Sequence, residues 1–479
     1  MRFLQPILFF MTTAFWGCFF LKDNSMDMCH GPIFKKIMIY TIPIIATGIL
    51  QLLFNAADLI VVGRYCGSVT IAAVSATGAL INLITNLFLG LSVGCGVTVA
   101  HALGSHDDKA VHKTVHTAIP IAAICGVILT FVGVFGADYF LRLMGTPENV
   151  HALSATYIKI YFFGITATIV YNFGASILRA AGDTKGPLIF LSAAGLINIA
   201  LNIFFVAVFN MSVAGVALAT AISQTVSAIL IILSLMRRND ACRLILKDMH
   251  IHFRQLTKML RIGIPAGIQS SLFSLSNVII QSSVNSFGDI VMSGSGAAAN
   301  IEGFVWIAIN AYSQTAINFV GQNVGAKKYD RVRKILWICI LCVSVTGIVL
   351  GSAAYLFARP FLGIYITDSA EAIGYGIIRM TYICLTYFLC GLMDVTTGAI
   401  RGLGSSLTPM IISIAGICGI RILWIYTIFR MPQYHSLESL FISYPISWVI
   451  TFIIQLAVFL VIYTRQANKA KKSAEAVLV

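Results

Sequence analysis

Long apolar runs broken by short polar stretches dominate the chain. In lipid every backbone N–H and C=O must be paired within its own segment, so each run predicts a helix. One crossing takes about 20 residues. Twelve spans are predicted, at roughly 37–63, 70–103, 113–136, 152–181, 187–209, 212–236, 259–287, 290–324, 334–358, 374–402, 407–430 and 439–464. Several exceed 25 residues, which implies tilt or extension beyond the hydrocarbon. A β-barrel is disfavoured, because the runs are continuous instead of alternating in segments of about 10 residues.

Composition agrees. Hydrophobic residues make up 58% of the 479 positions and charged residues 10%, against about 25% charged in soluble domains. So few charges cannot cover a soluble surface, which excludes soluble enzymes, nucleic-acid binders and secreted disulfide scaffolds. The net charge of +14 suggests an acidic partner until its distribution is read. Most Lys and Arg lie in alternate short loops: Lys35, Lys36, Lys109, Lys113, Arg179, Lys185, the stretch Arg237 to Arg261, the stretch Lys327 to Lys334, Arg401 and the tail from Arg465. Arg64, Arg142, Arg359, Arg379 and Arg430 are assigned to the opposite side. The bias, with an even number of spans, predicts both termini in the cytoplasm. The eleven cysteines are scattered through apolar segments. Cys339 and Cys342 form a C-x-x-C inside a span, where two small apolar side chains one turn apart explain them.

The chain repeats itself. Lys36 to Pro43 (KIMIYTIP) matches Lys258 to Pro265 (KMLRIGIP), and Leu178 to Pro187 (LRAAGDTKGP) matches Ile400 to Pro409 (IRGLGSSLTP). Both pairs share an offset of 222 residues. Six spans per repeat is an even number, so the halves are parallel repeats, with a central cleft expected between them. The predicted division is an apolar extension 1–25, an N-terminal six-helix lobe 26–236, a basic cytoplasmic linker 237–258, a C-terminal six-helix lobe 259–465 and a cytoplasmic tail 466–479. Residues 1–25 leave three readings open: a signal peptide, a thirteenth span, or an over-extended start upstream of Met26 and Met28. The last is favoured.

The chain's one G-x-S-x-G, Gly90-Leu91-Ser92-Val93-Gly94, lies inside an apolar span instead of at a strand-to-helix turn, and no H-E-x-x-H or G-x-x-x-x-G-K-[ST] occurs, so neither an enzyme nor a direct ATP-driven pump is indicated. His112 and His116 have metal-pair spacing but no third ligand in view, and read as an interfacial helix face. The informative residues are acids inside spans, each costing about 2.5–3.5 kcal/mol on insertion scales. Asp58 in span 1 shares a helix face with Asn55 and Gln51. Span 5 offers Asn198 and Asn202, span 4 Asn172, and span 6 Thr220 with Gln224 one turn on. Amides in such helices also serve as interhelical glue. Glu302 in span 8 and Asp394 in span 10 are read as facing a substrate cavity together with Gln51 and Asn55. The 222-residue shift maps Asp394 onto Asn172, but Asp58 onto Ile280, Asn198 onto Ile420 and Asn202 onto Trp424, so the halves have diverged chemically. Pro43 and Pro265 occupy equivalent points of spans 1 and 7 and read as hinges or static kinks. Gly90-x-x-x-Gly94 reads as close helix packing.

Six stretches together resemble the bacterial multidrug and toxic compound extrusion (MATE) family. They are Gly31-Pro32-Ile33-Phe34-Lys35-Lys36, Asn55 to Gly63, Leu178-Arg179-Ala180-Ala181-Gly182-Asp183-Thr184-Lys185, Val213 to Thr220, Phe319 to Ala326, and Arg401-Gly402-Leu403-Gly404. The resemblance runs from about Gly31 to Arg465. It implies an all-α protein of twelve transmembrane helices in two lobes, exporting organic cations in exchange for H⁺ or Na⁺ by alternating access. It also implies a monomer in membrane lipid with no cofactor, metal, nucleic acid or ATP beyond the coupling ion. In one branch the N-terminal lobe holds that ion with residues matching Asp58, Asn198, Asn202 and Thr220; Asn172 is a looser match. That branch often has Asp where this chain has Asn202, which favours H⁺ over Na⁺. Another branch carries a Glu in helix 7, where Phe273 and Ser274 stand here. The runner-up function is a flippase for lipids or lipid-linked oligosaccharides, which calls for basic residues in the cleft, whereas the intramembrane charges are mainly Asp58, Glu302 and Asp394; Lys159 and Arg421 are the exceptions to check.

Overall fold

The computed structural model describes residues 25–66, 68–367 and 369–478, so the readings made for residues 1–24 lie outside it. Among the described residues there is no β-strand. The helices are α1 Ile33–Cys66, α2 Ser68–Gly104, α3 Asp108–Leu143, α4 Glu148–Phe163, α5 Ile165–Ala180, α6 Lys185–Ile203, α7 Ser212–Arg237, α8 Phe253–Asn285, α9 Asp289–Gly325, α10 Tyr329–Leu356, α11 Ala358–Tyr365, α12 Ala370–Ile383, α13 Tyr387–Gly402, α14 Leu407–Ser413, α15 Ile420–Tyr426 and α16 Leu437–Leu478.

Every predicted span coincides with a helix or a broken helix. Among the described residues, nine helices are long and apolar enough to cross a membrane, or eleven if each of two bent pairs counts as one. The pairs are α4 with α5, bent by 46°, and α12 with α13, bent by 45°. They are repeat-equivalent, so the duplication read in the sequence survives as a duplicated bend. The remaining predicted span, the eighth (α9), is not among the apolar helices. It packs against α10, α12 and α13 and buries most of its length, Glu302 and Asn323 included. A helix enclosed by protein need not be apolar on every face.

The repeat also fixes two turns. Gly182 (φ +92°) ends α5 and Gly404 (φ +86°) ends α13, both in the left-handed region where glycine is at no steric disadvantage. In the first, Asp183 Oδ1 accepts from the Lys185 and Gly186 amides at 3.1 and 2.9 Å and so caps α6.

The chain forms two compact units, and their limits differ from the predicted lobes. One contains residues 42–267; the other contains 28–41 and everything from Ile268 on. The first turns of α1 belong to the second unit: Thr41 and Thr315 share a hydrogen bond of 2.8 Å, Tyr40 meets Phe319 edge-on, and Asn323 Nδ2 donates to the Met28 carbonyl at 3.1 Å. The predicted linker and the first half of α8 belong to the first unit. The Ile245 amide donates to His116 Nε2 at 2.9 Å, and Thr117 Oγ1 donates to the His250 carbonyl. Connectivity in sequence put these segments with their own repeats; side-chain packing exchanges them. Both divisions fall within two residues of Pro43 and Pro265, which lie inside uninterrupted helices.

The Gly90-x-x-x-Gly94 motif of α2 packs against a second one, Gly263-x-x-x-Gly267 of α8. A Cβ on Gly90 would lie 2.2 Å from the Gly267 nitrogen, and one on Gly94 2.1 Å from the Met259 carbonyl oxygen. Both obstacles are backbone. Gly94→Ala is therefore expected to destabilise the protein by about 1–3 kcal/mol, the usual range for overpacking. Thermal unfolding of the purified variant reads this out; a melting temperature equal to wild type would remove the close α2–α8 contact.

Candidate functional site

In the first unit α1, α6 and α7 carry polar side chains to one point. Asp58 is half-buried in the C-terminal half of α1. Asn198 and Asn202, one turn apart on α6, are 5% and 0% exposed. Asn202 Nδ2 donates to Asp58 Oδ1 and to Asn198 Oδ1 at 3.1 Å. Asn198 Nδ2 reaches Thr220 Oγ1 of α7 at 3.4 Å, and Thr220 donates to the Val216 carbonyl. The chain Asp58–Asn202–Asn198–Thr220 is thus continuous across three helices. Immediately after Asn202, α6 passes into a π-helical turn, Phe204–Val208, a widening frequent at functional sites. Among the described residues no Lys or Arg pairs with Asp58.

One atom here is left over. Asn202 Oδ1 is buried and has no hydrogen-bond partner, an expensive state for an acceptor. With the Asp58 carboxylate, the Asn198 carbonyl and the Thr220 hydroxyl, it makes an oxygen-rich set to which a small cation or a proton would be attracted.

The structure does not bring in every predicted member. Asn172 donates to its own helix, at the Thr168 carbonyl. Gln224 turns to Ser227 at 3.4 Å. Gln51 and Asn55 are exposed on α1 and, among the described residues, make no side-chain hydrogen bond.

The second unit encloses a cavity of about 510 Å³ that includes Glu302 and Asp394. Both acids line the cavity, as read from the sequence, but basic residues line it with them. Arg379, Arg401 and Arg421 line the same cavity. Charge counting places Arg379 at the outer flank of its span; it is 8% exposed. Its Nε and Nη2 donate to the two oxygens of Glu302 at 2.9 and 2.8 Å, and its Nη1 to Ser295 Oγ at 2.9 Å. Glu302 is therefore neutralised in a bidentate pair. Asp394 is half-buried, and among the described residues its carboxylate accepts no hydrogen bond. The signal that could have exposed Arg379 was its place inside the apolar run Ile377-Ile378-Arg379-Met380, since an intramembrane cation needs a partner.

Three other sequence readings turn on single contacts. Asp248 is a third metal-type neighbour that the sequence did not reveal: its side chain lies 3.4 Å from His112 Nε2, and the ligand atoms of His112, His116 and Asp248 lie within 4.8 Å of one another. His116 spends both ring nitrogens elsewhere, Nδ1 on the His112 carbonyl at 2.7 Å and Nε2 on the Ile245 amide, so the group is a structural clasp. Cys339 and Cys342 are buried free thiols. Lys159 is held by Asp138 at 2.7 Å.

The MatE family model matches residues 43–204 and again 265–427, more than half of the chain in two copies. The chain belongs to the MatE family. The start of the second match follows that of the first by the same 222 residues read from the sequence. A probable multidrug resistance protein of Bacillus subtilis, YoeA, is 27% identical over 433 residues, covering 88% of this chain and 92% of the relative. The multidrug export protein MepA of Staphylococcus aureus is 22% identical over 392 residues, covering 82% and 84%. A solved outward-facing multidrug resistance MATE transporter superposes with a TM-score of 0.86 at 22% identity, over 94% of this chain and 99% of that one. This MatE chain is therefore a multi-span membrane transporter of the MATE multidrug efflux family, and not an enzyme.

Proposed function

We propose that this chain is a secondary active antiporter of a bacterial cytoplasmic membrane, with both termini inside, that exports lipophilic organic cations in exchange for protons. One observation carries the reading: an acid placed in an apolar helix, Asp58, hydrogen-bonded only through a neutral amide relay. Such a carboxylate can take and release a proton without breaking an ion pair. In the outward state protonation of Asp58 rearranges its contact with Asn202 and lowers affinity for the cation; on return the proton leaves to the cytoplasm. Asn202 contributes no second negative charge, which favours H⁺ over Na⁺. Asp394, whose carboxylate accepts no hydrogen bond among the described residues, is the counter-charge for the substrate.

The driving force is sufficient. One charge moved across 100 mV supplies about 2.3 kcal/mol, and about 1.4 kcal/mol is a factor of ten. For a monovalent cation exchanged one-for-one the step is electroneutral, so one proton holds the internal level on the order of 50-fold below the level to which the potential alone would draw the cation, and a pH difference sets any outward ratio. In proteoliposomes a pH gradient without Na⁺ should drive uptake of a fluorescent cation such as ethidium, and a proton uncoupler should abolish it. Transport that runs only on a Na⁺ gradient would overturn proton coupling.

A further inference from the structure

Arg421 has no role in the reading above. It stands on α15, directly after a π-helical segment, Ile414–Gly419, and lines the cavity of the second unit. It is 4% exposed. Its Nε donates to Ser447 Oγ at 3.0 Å, and its guanidinium lies 3.9 Å above the Tyr444 ring and 5.6 Å from that of Trp448. Among the described residues its two terminal nitrogens make no hydrogen bond and no carboxylate pairs with it. A buried guanidinium without a counter-ion is unfavourable, yet this one is held rigidly by a hydroxyl and by ring stacking.

The remaining charges in the cavity do not relieve it. Glu302 is consumed by Arg379. Arg401 donates to Gln269 at 2.8 Å and leaves its own Nε buried without an acceptor. With Asp394 ionised, the cavity carries one positive charge in excess. Its wall beside Arg421 is aromatic, with Tyr444 and Trp448. The planar fork of Arg421 presents two donors of the spacing that a carboxylate, sulfonate or phosphate accepts.

We infer that this cavity binds the oxyanion group of an aromatic or lipophilic amphiphile, with Arg421 as its counter-ion. The substrate range then extends beyond cations to acids and to zwitterions. This goes beyond the proton-coupling proposal and does not depend on it, because binding is read without any ion gradient.

The test uses the full-length protein purified in detergent. The probes are 1-pyrenebutanoate and its neutral counterpart 1-pyrenebutanol, with energy transfer from tryptophan to pyrene as the readout. Wild type should bind the acid at least tenfold more tightly than the alcohol. Arg421→Gln should erase that preference, whereas Arg421→Lys, which keeps the charge but loses the fork, should retain part of it. Competition separates the sources of the oxyanion. Displacement by 4-phenylbutanoate supports a soluble amphiphilic acid, and displacement by phosphatidylglycerol supports the same site filled by a lipid headgroup. Equal binding of acid and alcohol to wild type overturns the inference without any variant. So does Arg421→Gln protein with wild-type elution and circular dichroism that keeps the full preference.

Discussion

Asp58→Asn is expected to abolish gradient-driven export while the protein remains folded, inserted and able to bind substrate. The neutral amide matches the carboxylate in size and can still accept from Asn202 through its own oxygen. The structural loss is limited to one charge-assisted hydrogen bond on a half-buried side chain, about 1–2 kcal/mol. The functional loss is complete, because an amide cannot carry a proton at any physiological pH. The internal cation level, held on the order of 50-fold below its passive value by one coupled proton, should rise to that passive value. Cells carrying the variant should accumulate a fluorescent cation to the level of cells lacking the transporter, with wild-type amounts of protein in the membrane. Full resistance in those cells would remove Asp58 from the cycle.

Breaking the buried pair between Glu302 and Arg379 should produce the largest change in stability. Glu302→Gln leaves a guanidinium 8% exposed with no opposite charge, and truncating one member of such a pair costs about 3–5 kcal/mol. Glu302→Leu combined with Arg379→Met removes both charges and should recover most of that loss, since an apolar replacement of a buried pair is often neutral or better. A double-mutant cycle on denaturation midpoints measures the coupling. Single variants as stable as wild type would mean that the pair is open to water. The pair belongs to the second unit and Asp58 to the first, so Glu302→Gln should lower yield and melting temperature without altering which ion drives transport in the protein that survives.

Asp58, Asn198, Asn202 and Thr220 were legible before any coordinates. Three of them follow from the cost of polar side chains in apolar helices, and the i, i+4 spacing of the two asparagines places them on one face. The grouping of all four came from the family resemblance, and the coordinates link them in a hydrogen-bonded chain. Asn172 shows the limit: its amide has an acceptor one turn back on its own helix, Thr168, and needs none elsewhere. Arg379 shows another. Counting Lys and Arg along the chain treats each as a loop charge, so a cation that pairs with an acid 77 residues away in sequence is assigned to the wrong environment. The unit boundaries near Pro43 and Pro265 escaped for a similar reason, since repeats divide a sequence where it duplicates and not where side chains interlock.

What the amino-acid order determined alone was local: membrane class, the helical runs, the duplicated architecture and the position of an acid in the first long helix. Lipid makes this so, because a backbone that cannot bond to water must satisfy itself within a few residues. Only the tertiary structure decided which charges cancel. It tied Glu302 to Arg379, left Arg421 stacked and unpaired, and exchanged the first turns of α1 and α8 between the two units. Those outcomes depend on contacts between residues remote in sequence, where the energy of a buried charge is set by whichever partner packing brings within reach.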